Sequence, residues 1–329
     1  MILVTGATGL VGAHLCLSLV RQNQKIVALY RRDKKRVALK DFFKAHNATP
    51  LFDQIVWRKA DLTNLPALTS AFEGIRKVYH CAASVSMAYH KQAELFQVNQ
   101  QGTGYIADLC IEKKIEKLVY VSSIAALGSE TLQGPIDERT PWNSAVEKTP
   151  YAYSKYGAEL EVWRCGQEGV PIAIVNPGVI LGQGMPNSPL DQLIGLLKKG
   201  IRFYPTGVTG LVTVEDVVAV MLSLMEGPMV NERFILVAEN WTYQRLLQEI
   251  AKTKQLKAPI RSLPMWLLHI GWVLESVLSA IGMRKKFLSK ALVKTLGDKR
   301  EIDGNKIVRL TDFTYTPIAP YLSAQLSSN

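Results

Sequence analysis

A tyrosine and a lysine four residues apart form the pair in this sequence best suited to move a proton. Tyr151 and Lys155 open a stretch, residues 151–167, whose pattern predicts a helix, so both side chains share one face. A phenol with its usual pKa of about 10 is a poor base at neutral pH, and a nearby ammonium lowers that pKa. The pair could therefore exchange a proton with an alcohol or a carbonyl, or be an ordinary helix pair.

Two serines supply a hydroxyl at the end of a predicted strand. Ser122 and Ser123 directly follow residues 117–121, an apolar run that predicts a buried strand. A serine at such a place can also cap a turn. Together with Tyr151 and Lys155 it completes a set of hydroxyl, phenol and ammonium, which suits the interconversion of carbonyl and alcohol.

Three glycines spaced three apart follow the first predicted strand. Gly6, Gly9 and Gly12 stand between an apolar run at 2–4 and residues 11–22, which predict a helix. A pyrophosphate can bind there, because a helix N-terminus offers unpaired amides and glycine lets the backbone approach closely. A glycine-rich turn can also be only a turn, but the strand before it and the helix after it favour a dinucleotide site.

Predicted strands and helices alternate along the first half of the chain. The predicted strands are 2–4, 25–30, 55–58, 77–81, 117–122 and 171–176. The predicted helices between them are 11–22, 34–45, 65–72, 92–113 and 151–167. This alternation predicts an α/β fold, a doubly wound (Rossmann) parallel sheet whose ligands gather beyond the carboxyl ends of the strands.

The pattern changes after residue 178. A Gly/Pro-rich loop at 182–189 and an amphipathic helix near 190–199 are followed by a helix at 217–225 and a strand at 234–237. We therefore predict a dinucleotide-binding domain at 1–177, rejoined by about 206–238. A smaller, mainly helical substrate lobe is predicted at 178–205 and 239–329.

Composition narrows the class of protein and its partners. Of 329 residues, 48% are hydrophobic and 20% are charged, as in a folded soluble protein. The net charge of +11 is not arranged as a basic stripe interleaved with aromatic residues, so no nucleic-acid partner is predicted. The four cysteines are scattered without metal-ligand spacing or a disulfide framework, and the chain begins directly with a strand. These features predict a cytoplasmic protein without a metal site.

Residues 263–283 are the one candidate for membrane contact. Their length is close to the ~20 residues that span a bilayer, but His269, Glu275, Ser276 and Ser279 interrupt them. A buried helix of the second lobe is the preferred interpretation, with most of its surface packed inward. A helix lying on a membrane surface is the second interpretation, and a spanning helix is the third.

Seven motifs occur in order along the chain: Thr5-Gly6-x-x-Gly9-x-x-Gly12, Asp61-Leu62, His80-Cys81-Ala82-Ala83, Asn99 in Val-Asn-Gln-Gln-Gly-Thr, Ser122-Ser123, Tyr151-x-x-x-Lys155 and Asn176-Pro177-Gly178. In these motifs the chain resembles the extended short-chain dehydrogenase/reductases, the NAD-dependent epimerase/dehydratase-like family. Within that family it is similar to dihydroflavonol-reductase- and hydroxysteroid-dehydrogenase-like members. The resemblance is close over residues 1–180 and thin beyond about residue 237.

The resemblance implies a role for each motif. Tyr151 is expected to be the acid/base, Lys155 its modulator and a ribose ligand, Ser123 a donor to the substrate oxygen, and Asn99 a support of the site. The implied cofactor contacts are Gly6, Thr8, Gly9, Leu10, Val11, Gly12, Asp61, Leu62, Ala82, Ala83, Tyr151, Lys155, Pro177 and Gly178. In this family the two long helices at 92–113 and 151–167 often pair between two copies, so a homodimer is also implied.

Two arginines follow the second predicted strand. Relatives that prefer NAD carry an acid there, which accepts hydrogen bonds from the ribose 2′-hydroxyl. This chain has Arg31 and Arg32 instead, and a guanidinium can bind a 2′-phosphate through two hydrogen bonds. We predict that NADP(H) is favoured over NAD(H), with Arg31 as the main contact and Arg32 or Lys35 as the second. The alternative is that these are exposed loop arginines.

The sequence favours one reaction among several. A dehydratase is expected to carry an acid just after the serine, where this chain has Ile124-Ala125-Ala126. A nucleotide-sugar epimerase needs tightly held NAD and a diphosphate site, which the arginine pair and the apolar second lobe, with Trp266 and Trp272, match poorly. We predict an NADP(H)-dependent oxidoreductase acting on a ketone or aldehyde, or the alcohol, of a lipophilic or aromatic small molecule. An NAD(P)-dependent nucleotide-sugar epimerase and a non-catalytic dinucleotide-sensing protein are the alternatives.

Overall fold

The computed structural model describes residues 1–86, 88–128, 134–186, 188–264, 266–268, 270–273 and 289–327. Its strands are β1 (Ile2–Thr5), β2 (Ile26–Tyr30), β3 (Val56–Lys59), β4 (Lys77–His80), β5 (Lys117–Val121), β6 (Ile172–Pro177), β7 (Val179–Leu181), β8 (Phe203–Tyr204), β9 (Val208–Thr213), β10 (Glu232–Leu236), β11 (Glu239–Thr242) and β12 (Arg261–Ser262).

The numbered helices are α1 (Leu10–Arg21), α2 (Asp33–Ala45), α3 (Thr49–Phe52), α4 (Leu65–Ala71), α5 (Gln92–Leu95), α6 (Gly102–Glu112), α7 (Pro150–Gln167), α8 (Pro189–Lys198), α9 (Val214–Glu226), α10 (Tyr243–Thr253), α11 (Lys290–Gly297), α12 (Lys306–Leu310) and α13 (Ile318–Ser327). Two 3₁₀ turns lie at Tyr89–Lys91 and Ile124–Ala126.

Seven strands form the main sheet, in the order β10-β6-β5-β4-β1-β2-β3, and all neighbouring pairs are parallel. Leu3 and Val4 of β1 are both fully buried and belong to different apolar clusters, one on each face of the sheet. Helices α1 and α9 cover one face, and α6 and α7 cover the other. Strands buried on both faces explain the continuous Val- and Ile-rich runs, and the predicted doubly wound fold is confirmed.

A second, smaller sheet belongs to the C-terminal half of the chain. Its strand order is β11-β9-β7, with β9 antiparallel to β11 and parallel to β7. Helices α8, α10 and α13 bury an apolar core of their own, with Trp241 of β11 among its members. Strands β7 and β11 were not predicted, because β7 follows β6 after a single residue and three of the four residues of β11 are polar.

The predicted helix at 92–113 is divided into three segments. Residues Phe96–Gln101 between α5 and α6 adopt a π-helical turn, and Asn99 lies in that turn. A π turn widens the helix by one residue and often occurs at functional sites. Periodicity alone predicted one continuous helix, because the π turn changes the phase of a helix without interrupting its hydrogen bonding.

The segment at 263–283 was predicted to be a buried helix of the second lobe, and its described residues differ from that prediction. Residues 266–268 and 270–273 are helical, but Trp266, Ile270 and Val273 are between 51% and 64% exposed. The prediction that this face packs inward is therefore wrong for these residues, which project away from the core of the lobe. Residues 265, 269 and 274–283 lie outside the described part of the chain. Among the described residues, no helix combines the length and apolarity needed to cross a bilayer.

Candidate active site

The predicted site residues converge on one edge of the main sheet, because the carboxyl ends of parallel strands meet there. In order of the strands they follow, they are the glycine turn 6–12, Arg31 and Arg32, Asp61 and Leu62, Ala82 and Ala83, Ser123, and Pro177 with Gly178. Residues far apart in the sequence are thus brought to the same edge by the order of the strands.

The glycine turn packs too tightly for side chains at two of its positions. Gly6 has a φ of +66°, and a Cβ atom placed on it would lie 2.6 Å from the backbone nitrogen of Ala82. A Cβ on Gly12 would collide with the carbonyl oxygen of Gly6. Gly9 is the N-cap of α1, and its amide donates to the Gly6 carbonyl at 2.9 Å. The glycines are therefore required by the shape of this turn.

The surroundings of the turn fit a dinucleotide. The first turn of α1, which contains Leu10, Val11 and Gly12, carries no acidic residue and no capping side chain, so its amides are left to an anion. At the end of β6, the buried Oδ1 of Asn176 has no hydrogen-bond partner among the described residues. A buried acceptor of this kind, next to Pro177 and Gly178, is a fit for the donor groups of a bound cofactor.

Tyr151 and Ser123 are brought together by α7 and the end of β5. Tyr151 lies in the first turn of α7, is 8% exposed, and its phenol is close enough to the Ser123 side chain to interact with it. Burial raises the pKa of Tyr151, and the interaction with Ser123 offsets only part of that rise. The sequence predicted the opposite direction, a pKa lowered by Lys155.

The position of Lys155 explains this difference. Its Nζ donates to the hydroxyl of Tyr120 at 2.6 Å and to the carbonyl of Val121 at 2.9 Å, and it lies 4.4 Å from the centre of the Tyr120 ring. Burial lowers the pKa of Lys155 to about 7, although the carboxylate of Glu159 acts in the other direction. The ammonium of Lys155 therefore points at β5, and burial is the dominant effect on the pKa of Tyr151.

A buried polar network that the sequence did not predict lies behind Lys155. The ring of His80 stacks on Tyr120 at 5.2 Å, and its two nitrogens contact the hydroxyls of Thr5 at 2.6 Å and Thr103 at 2.9 Å. Burial lowers the pKa of His80 to about 3, so this histidine is neutral at physiological pH. The network joins β1, β4, β5 and α6, and only the folded topology brings these residues together.

Asn99 holds a loop and a helix next to the site. Its amide exchanges two hydrogen bonds with the backbone of Ser84, at 2.7 and 2.9 Å, and donates a third to the hydroxyl of Ser154 at 2.9 Å. Ser154 belongs to α7, between Tyr151 and Lys155. Asn99 thus fixes α7 against the segment that follows β4, and it is 1% exposed.

On the same edge of the main sheet, beyond the ends of β2 and β3, Arg31 contacts Asp61. The guanidinium Nη1 lies 3.5 Å from Oδ2 of Asp61, and both side chains are partly exposed. Burial opposes ionisation of Asp61, but hydrogen bonds from Thr63 and the charge of Arg31 hold its pKa below the usual value. Arg32 is the exposed N-cap residue of α2 and makes no capping hydrogen bond with its side chain.

A profile of the NAD dependent epimerase/dehydratase family matches residues 2–236, which is well over half of the chain. The chain belongs to this family. Over 93% of its length it is 31% identical to a candidate dihydroflavonol 4-reductase of Synechocystis sp., of which it covers 88%. Over 80% of its length it is 29% identical to sterol demethylase protein B of Methylococcus capsulatus, of which it covers 77%.

Further comparisons include an epimerase and a solved structure. The UDP-glucose 4-epimerase of Vibrio cholerae is 26% identical over 79% of each chain. The crystal structure of gox2253 covers 99% of this chain and 97% of its own, with a TM-score of 0.82 and 23% identity, and so supports the fold alone. As a member of the epimerase/dehydratase family, the protein is an NAD(P)-dependent oxidoreductase of the extended short-chain type.

One charged residue of this family member was missed although the sequence carried a signal for it. Glu159 stands four residues after Lys155 on the same face of α7, is 2% exposed, and accepts hydrogen bonds from Ser122 and Asn176. The spacing of four between Tyr151, Lys155 and Glu159 places all three on one face of the helix, and the sequence could have indicated this. Its burial, however, depends on β5, β6 and β10, which contact the carboxylate only in the fold.

Proposed function

We propose that this member of the family is an NADP(H)-dependent oxidoreductase that reduces a ketone or aldehyde of a lipophilic or aromatic small molecule, or oxidises the alcohol. The observation that carries the proposal is that the side chains of Tyr151 and Ser123 interact at the same sheet edge as the glycine turn. A buried phenol beside a hydroxyl, next to a dinucleotide-shaped turn, is suited to hydride and proton transfer at one carbon–oxygen bond.

The proposed roles follow from these positions. NADPH held at the glycine turn would supply the hydride for the carbonyl carbon. Tyr151 donates its phenolic proton to the carbonyl oxygen as the alcohol forms, and Ser123 donates a hydrogen bond that holds this oxygen. The ammonium of Lys155, held by Tyr120 and Val121, stabilises the phenolate that Tyr151 becomes and is available to the ribose hydroxyls. The phenolate regains its proton before the next turnover.

Replacement of Tyr151 by phenylalanine tests these roles. Because a general acid contributes about 100- to 10,000-fold, turnover should fall by that factor while NADPH affinity stays nearly unchanged. The measurement is a spectrophotometric NADPH assay against a panel of aromatic and lipophilic ketones and aldehydes, with fluorescence titration of NADPH as the binding control. A Tyr151→Phe protein with full activity refutes the assignment.

The preference for NADP(H) is proposed on the basis of Arg31. It is 47% exposed beyond the end of β2, and Asp61 holds its guanidinium at the dinucleotide edge. A 2′-phosphate could replace Asp61 as its partner, because a guanidinium can bind a phosphate through two parallel hydrogen bonds. Titration of NADP⁺ and NAD⁺ side by side tests this preference, and comparable affinities would contradict it.

The substrate class rests on composition and on relatives. The names of the relatives from Synechocystis and Methylococcus refer to a flavonoid and to a sterol, both of them flat and lipophilic molecules. We extend that class, but not a particular compound, to this chain. The epimerase relative from Vibrio supports the alternative, a nucleotide-sugar epimerase. Tightly bound NAD that survives purification, together with turnover of UDP-sugars, would favour the alternative.

We also propose a cellular compartment, an oligomeric state and a membrane contact. The four cysteines are free thiols, three of them buried, which supports a reducing cytoplasm. Leu160 on α7 is 49% exposed, which suits a contact between two copies and is tested by light scattering.

The exposed Trp266, Ile270 and Val273 suit contact with a membrane surface, and co-sedimentation with lipid vesicles tests this contact.

A further inference from the structure

Glu159 is a buried carboxylate on the same face of α7 as Tyr151 and Lys155, yet none of the roles described above uses it. It is 2% exposed, and a charge at such depth is costly unless donors surround it. Oε2 accepts hydrogen bonds from the Ser122 hydroxyl at 2.7 Å and from the Asn176 amide at 2.9 Å. These two donors come from the ends of β5 and β6, directly beside the site.

The other carboxylate oxygen of Glu159 faces away from the site. Oε1 accepts from Nη1 of Arg233 on β10 at 3.2 Å and from Nε1 of Trp163 at 3.4 Å. Arg233 is itself held by the carbonyl of Glu138, to which its Nε donates at 2.9 Å. Glu159 and Arg233 both line a cavity of about 460 Å³ between α7 and β10. The carboxylate is thus fixed from both sides.

The same carboxylate is linked to two residues of the site. The amide of Asn176 that donates to Glu159 also donates to the carbonyl of Ser123, at 3.0 Å, so the position of Ser123 depends on the same cluster. Lys155 lies one turn earlier on α7, where the negative charge of Glu159 favours its ammonium form against the effect of burial. Both effects act at the edge where substrate and cofactor are proposed to bind.

We propose that Glu159 is a positioning residue, whose buried charge favours the ammonium form of Lys155 and whose hydrogen bonds hold Ser123 in register with Tyr151. The inference rests on the proposed dinucleotide site but not on reduction of a carbonyl. Arg233 acts in the opposite direction, because its positive charge reduces the electrostatic field that Glu159 exerts on Lys155.

The titratable groups around Lys155 determine how its protonation changes with pH. They are Tyr120 on β5, His80 on β4, Cys81 just after β4, and Tyr151 and Glu159 on α7. Burial raises the pKa of Tyr120 and Tyr151 and raises the pKa of Cys81 to about 12. His80 stays neutral, and Glu159 is the one carboxylate in this set. A change at Glu159, or at its partner Arg233, therefore changes the electrostatic field at Lys155 directly.

The test compares NADPH affinity as a function of pH in three variants, since an ammonium at Lys155 should favour binding. In Glu159→Gln the loss of affinity with rising pH should move to lower pH by about one unit, because the ammonium has lost its negative neighbour. In Arg233→Gln it should move to higher pH, because the field of Glu159 is no longer reduced. Glu161→Gln, which changes a partly exposed ion pair with Arg164 on the same helix, is the control and should match the wild type.

Opposite shifts in the two variants support the proposal, since a purely structural defect moves both in the same direction. Shifts of one sign in both, or profiles that coincide with that of the wild type, overturn it. If Glu159→Gln does not fold, the shift of Arg233→Gln to higher pH decides the question alone. Opposite shifts in a protein that reduces no carbonyl would refute the proposed function and leave this inference standing.

Discussion

The ammonium nitrogen of Lys155 lies 2.6 Å from the hydroxyl oxygen of Tyr120, and both side chains are buried at the end of β5. Tyr120 thereby fixes the side chain that the family resemblance assigns to the ribose and to Tyr151. The stacking of His80 on the Tyr120 ring and the contact of His80 with Thr103 hold the tyrosine in turn. Lys155 is therefore oriented by a chain of buried contacts that begins at β4 and α6.

Replacing Tyr120 by phenylalanine should weaken catalysis without emptying the cofactor site. A hydrogen bond to a charged group is worth about 1.5–3 kcal/mol, so we expect kcat to fall about 10- to 100-fold. NADPH affinity should change less, because Val121 still accepts a hydrogen bond from Lys155. The measurement is steady-state kinetics with the best carbonyl substrate. Tyr79→Phe, which alters another buried tyrosine on β4, is the control, and equal losses in both variants would contradict this role.

The fold was predictable because its signals are local. The alternation of Val- and Ile-rich runs with helical stretches gave the seven-stranded sheet, and the residues at the strand ends, from Gly6 to Gly178, are those expected there. The second sheet was not predictable in the same way. In β9, Gly210 resembles a turn residue, although a side chain at Gly178 would collide with its carbonyl, so the two glycines serve close packing.

The site was predictable only where a residue stands out in its local sequence. Tyr151, Lys155 and Ser123 stand out by spacing and by position at a strand end. The contact of His80 with Thr5 joins residues 75 positions apart, and Glu159 contacts Ser122 and Arg233 at separations of 37 and 74, which pattern recognition in one chain cannot pair. The direction of the pKa shift at Tyr151 also depended on depth of burial, which a sequence does not report.

Adding one methyl group at Gly12 should weaken dinucleotide binding. In Gly12→Ala the new Cβ meets the carbonyl of Gly6, so the turn must open, and we expect NADPH affinity to fall at least about 10-fold with about 1–3 kcal/mol lost in unfolding free energy. The matched control is Gly195→Ala in α8, where a Cβ meets nothing within 4 Å. That variant should gain up to about 1 kcal/mol and bind normally. Normal binding by Gly12→Ala would show that the turn is not the cofactor site.

Removal of the Arg31 guanidinium should change cofactor choice rather than catalysis. In Arg31→Ala the loss of a charge-assisted contact should lower NADP⁺ affinity about 10- to 100-fold, while NAD⁺ affinity changes little. Arg36→Ala is the control, since Arg36 lies over the Tyr30 ring at 5.0 Å and is not assigned to the cofactor. Both dinucleotides are titrated by calorimetry at one ionic strength. A parallel loss for both cofactors in Arg31→Ala would mean that Arg31 does not recognise the 2′-phosphate.

Acid should destabilise the fold through His80. Burial lowers the pKa of His80 to about 3, against about 6.5 in an unfolded chain, so between pH 3 and 6.5 the unfolded state binds more protons and the unfolding free energy falls as pH falls. From pH 7 to pH 5 this histidine alone should remove about 2 kcal/mol. His80→Gln should be less stable than the wild type at pH 7, because it loses the stacking on Tyr120, but its stability should depend less on pH over that interval. Urea unfolding at pH 7, 6 and 5 measures the difference, with the exposed His90→Gln as control. An equal loss on acidification in His80→Gln and in the wild type would show that another group carries the acid sensitivity.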